Sequence, residues 1–260
     1  MKKVIDFSKY STIKIGNPVE VTVIEDDFDE KGYIIGGCSN ILIGNNPPPL
    51  LILSKKYDYI KLEKNLLKVG AFTPNGKIVS FCKKHNLHNL EYLAHLPGRI
   101  GGAVKMNAGL KAYETFNNLI EIKTTKQTIK KEDIEYGYRF TKINDIILEA
   151  TFEVENGFRF CDIEMFKTLR ANQPSTPSAG SCFKNPPNDY AARLIEAVGL
   201  KGVKKGDVGF SEIHSNFLVN YKNGNFDDAI YMIKEAKKRV YEEFGIKLAL
   251  EIIILDKDYM

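Results

Sequence analysis

Three side chains in this chain are of kinds that move protons or hold carboxylates. Ser181 lies in Ala179-Gly180-Ser181-Cys182-Phe183-Lys184-Asn185-Pro186, where small neighbours open its hydroxyl to a substrate. No adjacent histidine or lysine base marks it as a nucleophile, and a helix-capping loop is the simpler reading of the residues alone. Glu251 sits in Leu248-Ala249-Leu250-Glu251-Ile252-Ile253-Ile254-Leu255. Strand alternation puts it on one face with Ala249, Ile253 and Leu255. A lone carboxylate on an apolar face is costly unless paired or used; an edge strand with Glu251 at a wet rim is the alternative. Arg139 stands in Tyr136-Gly137-Tyr138-Arg139-Phe140. A cation fixed among aromatics suits a planar carboxylate, although an ordinary surface-strand arginine would look the same.

Two glycine runs add a second kind of chemistry. One is Gly36-Gly37-Cys38-Ser39-Asn40, entered by Ile34-Ile35 and left by Ile41-Leu42. The other is Pro97-Gly98-Arg99-Ile100-Gly101-Gly102-Ala103, continuing to Met106-Asn107-Ala108-Gly109. Glycine admits positive φ and close approach of another group, at an entropic cost. Such loops present N–H groups to an anion, usually a phosphate; a tight turn between two strands accounts for the spacing equally well. Neither run is the Gly-x-Gly-x-x-Gly with following helix of a Rossmann site. Two separate cradles suggest a long diphosphate cofactor.

These segments resemble the UDP-N-acetylenolpyruvoylglucosamine reductase family. Its first loop reads Gly-Gly-Gly-Ser-Asn, and its second reads Pro-Gly-x-x-Gly-Gly-Ala with Met-Asn-Ala-Gly. Its serine motif is Ala-Gly-Ser-Phe-Phe-Lys-Asn-Pro. Cys38 here replaces the third glycine, Arg99 a small residue, and Cys182 an aromatic. The match continues through Ala192-Arg193-Leu194-Ile195-Glu196 and through Ser211-Glu212-Ile213-His214-Ser215-Asn216.

The resemblance implies an α+β fold. A two-part FAD-binding domain of the vanillyl-alcohol-oxidase type would span 1–160, with a subdomain boundary near 46–50. A C-terminal α+β substrate domain would span 175–246, with strand 247–255 returning to the first domain. Noncovalent FAD would lie on Gly36, Gly37, Cys38, Ser39, Asn40, Gly98, Gly101, Gly102, Ala103 and Asn107. NADPH would be the co-substrate, and the substrate a UDP-sugar carrying an enolpyruvyl ether. Arg139 and Glu251 would polarise the enolpyruvyl carboxylate, Glu251 as the neutral acid. Ser181 would give a proton to C2 once hydride reaches C3. Tyr138, Lys184, Asn185, His214 and Asn216 would line the substrate site, although a structural strand entry explains His214 and Asn216 equally well. At 260 residues the chain resembles the shorter form of the family, which lacks a tyrosine-bearing insertion. Another flavoenzyme of the same cofactor fold, such as an alcohol oxidase, and a non-catalytic nucleotide-sugar binder are the rivals.

Composition bounds these readings. A net charge of +4 with scattered lysines lacks the dense basic stripe of a nucleic-acid protein. No run of about eighteen apolar residues appears, and the N-terminus has no signal-peptide core, so no membrane partner and a cytoplasmic location are expected. A monomer is expected as well. The four cysteines form no Cys-x-x-Cys pair and the four histidines are dispersed, which points to no metal site and no disulfide framework. The Cys182 thiol, beside Ser181, is expected to face the substrate.

The positioning elements follow from periodicity. Strands are expected at 19–24, 33–35, 50–54, 66–70, 216–220 and 248–255, with more between 119 and 154. Helices are expected after Thr73-Pro74, with Thr73 as N-cap, over 162–171, and over 190–198 up to Gly199. A long helix runs from an Asn225 cap to a Gly245 C-cap, with Ala229, Ile233, Ala236, Val240 and Phe244 as its apolar stripe. A charged turn falls at 26–32 and a hairpin at Asn156-Gly157, with breaks at 45–49 and 172–178.

Overall fold

The computed structural model describes residues 1–26 and 31–259, so most of the charged turn expected at 26–32 lies outside the described residues. The chain forms a mixed α+β fold of two compact units.

The first unit comprises Met1–Lys2, Thr22–Gly37 and Leu50–Ala171. In strand Leu66–Gly70, Leu67 and Val69 are buried while Leu66 and Lys68 are half-exposed, the alternation of a sheet with one covered face. It belongs to a five-stranded antiparallel sheet, in the order Thr128–Lys130, Leu119–Thr124, Ile147–Glu153, Leu66–Gly70, Ile60–Glu63. Ala150 stands between Val69 and Ile122. Helix Ile100–Lys105 packs on this sheet and buries Ile100, Ala103 and Val104. The second glycine run is therefore partly helical, neither a plain loop nor a turn between strands. A parallel pair, Tyr33–Ile35 with Leu50–Leu53, sets Ile35 opposite Ile52.

Two local expectations fail here for identifiable reasons. Thr73 does not cap helix Asn75–Lys84: its hydroxyl donates to Tyr59 O at 3.1 Å, and Pro74 is the cap. Gly157 takes a positive φ of 108° but closes no hairpin. Its N–H donates to Asn86 O, and strand Glu155–Asn156 pairs with Leu87–His88 instead.

The second unit comprises Lys3–Val21, Cys38–Pro49 and Asn172–Met260. Its antiparallel sheet has the order Ser178–Ser181, Phe217–Asn220, Val208–Phe210, Lys204–Lys205. Helix Phe226–Phe244 starts where the Asn225 side chain accepts from Asp228 N–H at 2.8 Å and stops at Gly245, φ 67°. A cap of this type contributes about 1 kcal/mol. Ala229, Ile233, Ala236 and Val240 enter a core shared with Leu194, Ile195 and Phe210, while Phe244 stays at the surface. Only Ile253–Leu255 of the expected closing strand is regular, and it pairs in parallel with Ile41–Ile43. Residues 38–49 fall in the same compact unit as the C-terminal third. Among the described residues no helix is long and apolar enough to cross a membrane.

Candidate active site

In the second unit a β-bulge sets the direction of Ser181. Ser178 pairs with Val219 and Ser181 with Phe217, so Ala179 and Gly180 together oppose Leu218. The extra residue fits because Gly180 adopts φ 78°, the left-handed region that glycine enters without penalty. Ala179 is buried. In a regular strand Ser181 would share that buried face; the bulge reverses the parity and leaves Ser181 half-exposed. Thr12 fixes the start of the bulge, its hydroxyl donating to Ser178 O at 2.6 Å.

Glu251 lies alongside. Its N–H donates to Cys182 O at 2.9 Å, Phe183 bridges Leu250, and Lys184 N–H donates to Ala249 O at 2.8 Å. Its carbonyl accepts from the Asn40 amide at 3.0 Å. The apolar-face argument does not hold, because 249–251 is not a regular strand: Ala249 is exposed, Glu251 half-buried and Ile252 buried. Asn40, expected on a cofactor, anchors the Glu251 backbone.

Asn216 is buried, and its amide is taken up by one residue: Oδ1 accepts from Phe183 N–H at 3.0 Å and Nδ2 donates to Phe183 O at 2.8 Å. It holds the backbone just after Ser181. Asn185 Oδ1 accepts from Ala191 N–H, the first of helix Ala191–Ala197, at 3.1 Å. Half-buried His214 accepts from Asn216 N–H on Nδ1 at 3.3 Å, and burial lowers its pKa from the ordinary 6.5. Lys184 is also half-buried. The Cys182 thiol is fully buried in the core, and burial pushes its pKa up. The expectation of a thiol facing substrate is therefore overturned: the bulge that turns Ser181 outward leaves Cys182 facing in.

The first unit holds Arg139. It occupies the two-residue turn between Tyr136–Gly137 and Phe140–Thr141 at φ 55°, not a strand. Its guanidinium donates to Gly109 O at 2.9 Å and to Asn107 O at 3.4 Å, with exposed Tyr138 5.1 Å away. Arg170 escaped the sequence reading. Burial, and then the Arg139 charge, lowers its pKa, and among the described residues no carboxylate pairs with it. Guanidiniums whose charges act on one another concentrate positive charge that suits a carboxylate or phosphate. Asn107, expected on the cofactor, has no exposed surface.

The glycine runs touch within this unit. A Cβ on Gly37 would lie 2.8 Å from Gly98 Cα, and one on Gly101 would lie 2.9 Å from Ala71 Cβ. The first-turn N–H groups of Ile100 and Gly101 donate to Thr73 O and Ala71 O, so they are closed to an anion. Gly102 is exposed, and a Cβ there would meet nothing within 4 Å. Arg99 donates to Phe72 O, stacks over the Phe72 ring at 3.5 Å and packs beside Gly36. Ala103 is buried beneath the helix, and Ser39 is half-exposed. Cys38 is buried at φ 47°; glycine at this place in the family pattern avoids that strain.

Ser181, turned outward by a bulge in an edge strand, and Arg139, held in a left-handed turn, are carried by the two units of an α+β fold. Residues 172–255 match the family "UDP-N-acetylenolpyruvoylglucosamine reductase, C-terminal domain". The chain is 46% identical over 257 residues to UDP-N-acetylenolpyruvoylglucosamine reductase of Campylobacter jejuni (strain RM1221), covering 97% of this chain and 100% of that one. It is 40% identical to the reductase of Helicobacter pylori (strain ATCC 700392 / 26695), covering 98% and 99%. A crystal structure of the Thermus caldophilus reductase superposes with a TM-score of 0.84 at 28% identity, covering 98% of each chain. The chain belongs to the UDP-N-acetylenolpyruvoylglucosamine reductase family.

Proposed function

We propose that this chain reduces UDP-N-acetylglucosamine enolpyruvate to UDP-N-acetylmuramate in peptidoglycan precursor synthesis, using noncovalent FAD and NADPH. The bulge that presents Ser181 is the observation that carries the reading, because saturating the double bond requires a proton at one carbon. The two-part FAD fold of the vanillyl-alcohol-oxidase type is part of the same proposal.

Gly36, Gly98 and Gly102 would hold FAD. The open space over Gly102 supports this, since a bulky ligand approaches backbone only where no Cβ intervenes. When bound, FAD supplies hydride transfer from NADPH to C3 of the enolpyruvyl group. Arg139 and Arg170 would grip the enolpyruvyl carboxylate, where charge accumulates. Glu251 in its acid form would donate to that carboxylate; as an anion it would oppose the developing charge. Ser181 would protonate C2. Tyr138, Lys184 and His214 would contact the substrate, while Asn40, Asn185 and Asn216 position the backbone.

Absorbance of the purified holoenzyme tests this. We expect flavin bands that NADPH bleaches without substrate and that the enolpyruvyl UDP-sugar restores. A colourless protein, or a bleached one that this substrate fails to reoxidise, would sink the proposal and favour a nucleotide-sugar binder or an oxidase.

A further inference from the structure

Asn107 is buried, lies at φ 41°, and has every polar group engaged. Its N–H donates to Val104 O at 3.1 Å, at the end of helix Ile100–Lys105. Its Oδ1 accepts from Phe116 N–H at 3.1 Å. Its Nδ2 donates to Glu114 Oε2 at 2.8 Å and to Gly137 O at 3.2 Å. Its own carbonyl accepts from Arg139 Nη1. One residue thus joins the glycine helix through its N–H, and the Glu114 strand and the base of the turn that carries Arg139 through its side chain.

We infer that Asn107 is a positioning residue for Arg139, holding its guanidinium in place through the Gly137 carbonyl and its own. This inference rests on the reading of Arg139 as the carboxylate ligand. The side-chain chemistry explains why asparagine stands here. Asparagine tolerates the left-handed backbone better than most residues, and its amide offers one acceptor and two donors at once. Aspartate would set a second carboxylate against Glu114 and leave Gly137 O without its donor. Glycine would satisfy the backbone and nothing else. Arg139 is itself left-handed at φ 55°, a conformation that persists only where surrounding contacts hold it. Asn107 supplies two of those contacts: the bond to Gly137 O next to the turn, and the carbonyl that receives Nη1.

Asn107→Gly separates side chain from backbone, because glycine accepts the native φ without strain. In the holoenzyme, flavin content and bleaching by NADPH should match the parent. Reoxidation by the enolpyruvyl substrate should fall by roughly 10–100-fold, the scale of a misplaced binding group, chiefly through a raised KM. Arg139→Lys should cause a comparable loss, and the double variant should be no worse than Arg139→Lys alone. Parental reoxidation by Asn107→Gly would overturn the inference, leaving a backbone role only. Loss of flavin would overturn it in favour of the cofactor. A double variant additive in its losses would show the two residues act independently, which also overturns it. Parental reoxidation by Arg139→Lys would instead remove Arg139 from the reaction, a failure of the underlying reading and not of the packing around Asn107.

Discussion

A Cβ on Gly37 would lie 2.8 Å from the Cα of Gly98 and 3.3 Å from its carbonyl carbon. The first unit's two glycine segments therefore meet backbone to backbone. Gly37→Ala should strain this contact at a cost of about 1–3 kcal/mol, as overpacking does, and lower the melting temperature. Gly102→Val should behave differently, since nothing in the protein stands within 4 Å of its Cβ. Its stability should stay within about 0.5 kcal/mol of the parent, while bound flavin is lost. Gly101→Val cannot make this distinction, because its side chain would collide with Ala71. Thermal melts with flavin absorbance check each variant; a yellow Gly102→Val protein would remove that residue from the cofactor site.

Thiol chemistry gives a second test. Cys161 is exposed, whereas Cys38, Cys82 and Cys182 are buried. Burial pushes the Cys82 thiol up to about 12 and that of Cys182 up as well, and a protonated buried thiol is inert. Iodoacetamide at neutral pH should label a single site per native chain, and Cys161→Ser should abolish the labelling. Mass spectrometry locates the adduct. Rapid modification of Cys182, with protection by the UDP-sugar, would contradict the buried position.

Much of this was legible in residue order, and what was not has physical causes. The long helix was readable end to end because Asn225, the apolar stripe and Gly245 are local signals that agree. Ser181 was identified by motif, but its orientation depends on pairing with Phe217, thirty-six positions away, which no local pattern encodes. The same bulge bears on Cys182, since adjacent side chains point opposite ways and the thiol faces the core once Ser181 turns outward. The regular strand expected around Glu251 is not formed, because strand propensity cannot foresee that only Ile253–Leu255 finds a partner of that kind. Arg170 carries no motif, and only folding brings it beside Arg139. The backbone contacts of Asn40, Asn185 and Asn216 are tertiary and carry no local signal in the sequence.

His214 predicts a pH dependence of stability. Burial lowers its pKa below the ordinary 6.5, so the unfolded chain binds a proton more readily than the native one. Below pH 6.5, protonation then favours unfolding, and stability falls as pH falls towards the native pKa. Above 6.5 this contribution is complete and flat. Urea midpoints of the parent between pH 5 and 8 should show the fall, and His214→Gln should reduce its slope below 6.5. Parallel profiles for the two proteins would remove His214 as the source.

Ser181 and Gly180 yield the final prediction, since one acts and the other aims it. Ser181→Ala should retain flavin and near-normal bleaching by NADPH, because no carbon is protonated in that half. Reoxidation by the enolpyruvyl UDP-sugar should slow by roughly 10²–10⁴-fold, the usual worth of a positioned acid. Gly180→Ala adds a side chain at φ 78° where nothing crowds it, so its cost is conformational, about 1–2 kcal/mol. If the chain relieves that strain by straightening the bulge, Ser181 turns back towards the face of Ala179, and reoxidation slows although the hydroxyl is still present. Stopped-flow absorbance at the flavin band measures the two halves separately. Equal losses in both halves for Ser181→Ala would make the serine structural. Normal reoxidation in that variant would take the proton from another source and deprive the bulge of its role.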